Sequence, residues 1–234
     1  MILKRKRFAT LAIFMTTLLL AGCGDEESSE VIQTGESSGS QDGDPADILP
    51  LSEVLEKHHL WFETGREPKR GSGVSGVYVF EDGEVTLYTK IEIDELGHTL
   101  QKDIPLVDML ELSDEEILEL YKEDSEILEL GEYNLDIDLD EYGQSTEYIK
   151  LETQKTKDAE EAGDYGSGEY ESIDFFPATV NPTIFDTTFA GFITEYNSQD
   201  VATESLITRV DESFSGLKLD EPDTDKKNVT TEGE

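Results

Sequence analysis

Two runs of β-branched and aromatic residues, Val74–Phe80 and Glu84–Lys90, flank Glu81-Asp82-Gly83. An Asp-Gly pair accepts positive φ at both central positions of a tight turn, and the twist of that turn matches the twist of paired strands. The segment is therefore an antiparallel hairpin, and the rest of the chain must build around it. Val77, Tyr78, Val79 and Phe80 are apolar on both faces, which puts this strand between two layers. Farther along, Leu135, Ile137 and Leu139 alternate with acids, and Tyr148–Thr153 answers them with Gly143 in the turn between. Further strands are expected near 170–176, 184–195, 205–210 and 214–219.

Helices are few. Leu51, Val54, Leu55 and His58 recur at i, i+3, i+4 and i+7, the spacing of a short amphipathic helix. Trp61-Phe62 then follow as an expected aromatic cap on the core. Ser113-Asp-Glu-Glu116 is a capping box that opens a second helix, with Ile117, Leu120 and Tyr121 on one stripe and Gly131 as its stop. Residues 155–169 are polar and glycine-rich and read as a mobile loop. Asp220–Glu234 either adds an edge strand or frays. About eight clustered strands and two short helices predict an α+β, mainly β domain. Its antiparallel sheet forms a sandwich or an open barrel, not a parallel nucleotide-binding sheet.

Composition sets the company such a domain can keep. Asp and Glu number 55 against 18 Lys and Arg, for a formal charge of −37, which excludes general nucleic-acid binding because nothing neutralises phosphates along a groove. Leu, Ile, Val and Phe supply 61 of the 234 residues, above the roughly 20 % below which a highly charged chain stays unfolded. A single cysteine excludes an intramolecular disulfide, a Cys-rich zinc site and a CxxC redox pair.

That cysteine has a context. Lys4, Arg5, Lys6 and Arg7 form a basic start, and Phe8–Leu20 is an apolar run of 13 residues. It is shorter than the about 20 residues a membrane-spanning helix needs, and it fits the apolar region of a secretory signal peptide. The run Leu20-Ala21-Gly22-Cys23 resembles the lipobox of bacterial prolipoproteins. The resemblance implies that residues 1–22 are a signal peptide removed on processing, and that Cys23 carries diacylglycerol and acyl lipid. Loss of residues 1–22 takes away four positive charges and no acid, moving the formal charge from −37 to −41. Residues 23–47 are then the lipidated cysteine and an acidic, Ser/Gly-rich disordered tether, and 48–234 a single extracellular domain. Leu60-Trp61-Phe62, Gly76–Tyr88, Leu206–Val210 and Leu219–Thr224 extend the resemblance to lipid-anchored lipoproteins of low-GC Gram-positive bacteria. These are held on the outer face of the cell membrane, and the group implies location and fold rather than an activity.

Candidate chemistry is sparse. Asp136, Asp138, Asp140, Gln144 and Glu147 fall at positions 1, 3, 5, 9 and 12 of a calcium-loop spacing. Position 6, where the sharp turn demands glycine, is Glu141, and alternating Leu135, Ile137 and Leu139 make the flank a strand. A solvated strand face is thus favoured over a weak calcium site on Asp136, Asp138, Asp140 and Glu147. His58 and His59 are adjacent and diverge by about 100° on a helix, and His98 is the only other histidine. No nucleophile elbow, zinc motif or phosphate loop is present. Arg66, Lys69 and Arg70 make the densest basic spot after the leader. Such a loop is more often a solvated turn, but in so acidic a chain it is, with Trp61, the candidate contact for an anionic partner.

The leading expectation is a non-enzymatic, lipid-anchored extracellular binding module without cofactor, whose partner is an envelope polymer, a cation or another protein. One alternative is that Met15–Gly22, released with the signal peptide, resembles the hydrophobic peptide pheromones of enterococci. Another is a cell-envelope hydrolase working through paired carboxylates.

Overall fold

A computed structural model describes residues 48–162, 172–196 and 204–231. After a short β1 (Leu49–Pro50) and helix α1 (Leu51–Lys57), the chain enters β2 (Leu60–Gly65), β3 (Gly73–Glu81) and β4 (Glu84–Ile93). Beyond β4 come β5 (Thr99–Gln101), β6 (Ile104–Pro105), a 3-10 turn at Leu106–Met109 and α2 (Asp114–Lys122). Strands β7 (Ser125–Leu139) and β8 (Thr146–Thr153) precede α3 (Gln154–Ala162). The chain then forms β9 (Ile173–Val180), β10 (Thr183–Ile184), β11 (Thr187–Tyr196), β12 (Glu204–Val210), β13 (Leu217–Lys218) and β14 (Val229–Thr231).

Eight of these strands, β2, β3, β4, β7, β8, β9, β11 and β12, pair antiparallel in chain order, and β12 returns to β2. The sheet is an up-and-down barrel, fully closed where a sandwich or open barrel was expected. Closure leaves the barrel wall no free edge, the usual hazard of an antiparallel sheet. At the β3–β4 turn Asp82 has φ 53° and Gly83 φ 83°, with Glu81 opposite Glu84, as the Asp-Gly pair predicts.

Side chains alternate across the wall. Trp61, Tyr78, Phe80, Val85, Tyr133, Leu135, Ile137, Ile149, Phe175, Phe192 and Leu206 form one buried cluster that fills the barrel. Leu51, Val54 and Leu55 of α1 join it, so α1 closes one end. The buried Asp220 carboxylate accepts from the Ser52 N–H at 2.8 Å and from the Ser52 hydroxyl, placing a negative charge at the positive end of α1. Neighbouring positions on the same strands, Leu60, Phe62, Val74, Val77, Phe189 and Ile207, face outward into a second cluster under Leu106, Met109, Ile117 and Tyr121. The double-sided apolar run of β3 thus lies between barrel interior and α2.

Several expectations need correction. Trp61 and Phe62 do not cap the core; they lie within β2 and face the two opposite clusters. The capping box of α2 is present, with the Ser113 N–H donating to Glu116 at 2.8 Å, but the helix stops at Lys122. Ile91 N–H takes the Asp124 carbonyl at 3.0 Å, and pairing with β4 wins over helix propensity from Ser125 onward. Gly131, at φ 82°, sits where the β4–β7 register shifts; it is a bulge rather than a helix stop. Among the described residues three short α-helices are present, where two were expected. Residues 154–162, expected largely as loop, form α3, whose first turn is capped by Thr153 Oγ1 accepting the Thr156 N–H at 3.2 Å. Residues 163–169 of that expected loop lie outside the described residues. The C-terminal stretch does add an edge strand, β14 pairing parallel with β7.

Candidate functional site

A cleft of about 620 Å³ lies beside the β3–β4 turn. Five separate segments wall it: the end of α1 with Glu56 and His59, the 81–83 turn, β7 through Glu132–Asn134, α3 through Gln154 and Lys157, and Lys227-Asn228. Leu55, Phe80 and Tyr133 form an apolar floor continuous with the barrel core. Phe80 and Tyr133 meet edge to face at 5.4 Å, a geometry that holds both rings.

Each wall is pinned. The Tyr133 N–H reaches the Gly83 carbonyl at 3.2 Å, and the Leu135 N–H reaches Asn228 O at 2.9 Å. Lys226 pairs with Glu53 at 3.2 Å, tying the C-terminal segment to α1. His59 Nδ1 donates to the Phe80 carbonyl at 2.9 Å, which leaves Nε2 of the exposed ring facing outward for a ligand. The Tyr133 hydroxyl is pushed up to about 12 by burial and then by the Glu56 charge, opposed by its bond to Asn228. It stays a protonated donor across the physiological range. Carboxylates, amides, an imidazole, a phenol and the ammonium groups of Lys157 and Lys227 thus converge over an aromatic floor. Such an arrangement suits polar recognition of a small or linear ligand.

The calcium-spaced acids are arranged otherwise. Asp136 and Asp138 lie on the outward face of β7, Asp140 in the following turn and Glu147 on β8. Asp136 accepts from Asn134 at 2.6 Å and from Thr230, and stands opposite Lys150. Asp138 accepts from the Tyr148 hydroxyl at 2.6 Å. Asp140 accepts from Ser145 Oγ at 2.6 Å and from the Gln144 N–H at 2.8 Å; these bonds hold its carboxyl below the ordinary range. Among the described residues no three His, Cys, Asp or Glu are grouped as a metal would need. One row on, Asp174 faces Lys150 across β8–β9, and burial lifts its carboxyl to about 6 against the pull of Lys150.

Arg66, Lys69 and Arg70 occupy the β2–β3 loop, all exposed. Trp61 does not join them: it is fully buried in the barrel, its indole N–H donating to His58 O at 2.7 Å. His58 half-buries against Phe214, and burial, with the neighbouring Lys57, holds its imidazole below the ordinary range. His98 sits apart in the β4–β5 turn, bonded to Asp94. Cys23 and the lipobox lie outside the described residues. No family model matches the chain, and neither a curated protein nor a solved structure matches it.

The cleft itself was not legible in the sequence. Only Asp82-Gly83 announced a position in it. Thr153, which caps α3 and so brings Gln154 and Lys157 to the wall, was the one local signal overlooked.

Proposed function

We propose that this chain is a lipid-anchored extracellular binding module, held by Cys23 on the outer face of a Gram-positive cell membrane, and that the cleft beside the β3–β4 turn receives its ligand. The observation that carries the reading is the convergence of pinned polar groups from five segments over the Phe80–Tyr133 floor. The basic start, apolar run and Cys23 support the anchor. More than one acyl chain on Cys23 gives stable attachment, since one chain alone is marginal. The charge, −37 for the full chain and −41 once residues 1–22 are lost, turns the domain away from anionic headgroups and nucleic acid. The ligand is an uncharged or cationic polyhydroxyl chain of the envelope, because carboxylates and amides outnumber cations on the cleft walls. No catalytic step is assigned.

Two measurements test this. Cells fed a clickable fatty acid should label the wild-type protein and not Cys23→Ala; label persisting in the variant sinks the anchor. Trp61 is the only tryptophan and meets Phe80 at 6.5 Å, so its emission reports on the cleft floor. Soluble wall-glycan fragments should change that emission saturably, and Asn228→Leu, which removes the cleft amide bonded to Tyr133, should abolish the change. An equal response in the variant refutes the cleft.

A further inference from the structure

We infer that the β2–β3 loop and the tip of the β10–β11 hairpin form a second site, a docking point for a linear polyphosphate-type anion. Phe185 carries the argument. It occupies the first of two loop residues between paired Ile184 and Thr187, at φ 54°, and its ring is 58 % exposed. A bulky residue with positive φ is an outlier, and a hairpin loop with positive φ at that position alone favours glycine. The ring is not buried in exchange for this strain. It supports the guanidinium of Arg70, whose carbon lies 4.9 Å from the ring centroid.

Stacking on a ring occupies the face of a guanidinium and leaves its N–H edge for ligands. Arg209 shows what a spent guanidinium looks like here. It lies 5.7 Å from the Phe62 ring, but its N–H groups go to the Leu112 and Met109 carbonyls and it faces Asp114 at 3.9 Å. Among the described residues, neither the Arg70 guanidinium nor the Lys69 ammonium has a hydrogen-bond or ion-pair partner. In a chain with three acids to every base, two adjacent exposed cations remain unpaired. A lone carboxylate ligand gains little at such a surface. Dense phosphate oxygens, accepting bidentately from arginine and singly from lysine, gain more. The net negative field repels a polyanion at distance, while beyond about 8 Å salt screens both effects at physiological ionic strength. The contact is therefore short-ranged and strongest at intermediate salt.

Calorimetry at about 0.1 M NaCl, with linear inorganic polyphosphate as probe and the full chain as host, tests this. Wild type should bind. Arg70→Ala should weaken binding about tenfold, the worth of one charge-assisted contact. Phe185→Gly should weaken it too without lowering the melting temperature, because the platform is lost while the strained turn is relieved. Four results overturn the proposal: no binding by wild type, unchanged binding by Arg70→Ala, a lower melting temperature for Phe185→Gly, or orthophosphate or anionic vesicles binding as tightly as the polymer.

Discussion

The cleft and the outer face of β7–β9 are both rich in charge, but they are organised in opposite ways. On the strand face, Asp136, Asp138, Lys150 and Asp174 stand in cross-strand rows. Asp136 accepts from Asn134 and Thr230 and Asp138 from Tyr148, while Asp174 stands opposite Lys150 with one carboxylate oxygen buried and, among the described residues, unpartnered. In the cleft, groups from residues 55 to 228 face a shared space, and bonds such as His59 to the Phe80 carbonyl and Tyr133 to Asn228 tie separate segments together around it. Many acids in one place therefore do not make a site. Convergence from several segments onto a pinned floor does.

The largest expected effect breaks the contrast at the floor. Tyr133→Ala empties a buried ring shared by cleft and barrel and should cost about 3–5 kcal/mol in urea unfolding, as other aromatic truncations in cores do. A loss below about 1 kcal/mol would mean the floor is not part of the core.

On the strand face the expected sign is reversed. Asp174 has a folded value of about 6, above its ordinary 3.8, so the native state takes up its proton first as pH falls. The penalty is fully present above pH 6 and absent below about pH 4. Asp174→Asn should accordingly stabilise by about 1 kcal/mol at pH 7.5, allowing for solvent screening of this half-buried group. The gain should vanish near pH 4; a variant destabilised at pH 7.5 would show that the Lys150 contact outweighs burial.

Much of the strand face was readable from the chain, because alternating Leu135, Ile137 and Leu139 declare their own orientation at a period of two. The hairpin at Asp82-Gly83 and the capping box at Ser113–Glu116 were readable for the same reason, each being a short-range pattern. What escaped depended on partners far away in sequence. Helix α2 ends at Lys122 because β4 captures the following residues, and Gly131 gains its meaning only from the strand opposite it. The barrel closes through a β2–β12 pairing that no local pattern encodes. The cleft inherits that opacity, since its walls meet only once the barrel is closed.

Ionisation of Tyr133 sharpens the contrast from the cleft side. Phenolate absorbance should titrate about two units above an ordinary tyrosine, near 12. Glu56→Gln should lower the value and Asn228→Ala raise it. An unmoved titration in both variants would detach Tyr133 from these walls.

Smallest of all should be Asp138→Asn, whose surface bond to Tyr148 is worth within about 0.5 kcal/mol. Millimolar Ca²⁺ should raise the melting temperature of wild type and variant alike, and no more than Mg²⁺ or NaCl at equal ionic strength, because screening relieves the self-repulsion of so acidic a chain. A Ca²⁺-specific rise that Asp138→Asn removes would establish a cation site on the strand face.

Side-chain NMR of the full chain during titration with soluble wall-glycan fragments puts both regions in one measurement. Resonances of His59, Tyr133, Gln154 and Asn228 should shift together and saturate, while Tyr148, Lys150 and Asp174 stay in place. Shifts confined to the β7–β9 face, with the cleft silent, would contradict the assignment of the cleft as the ligand site.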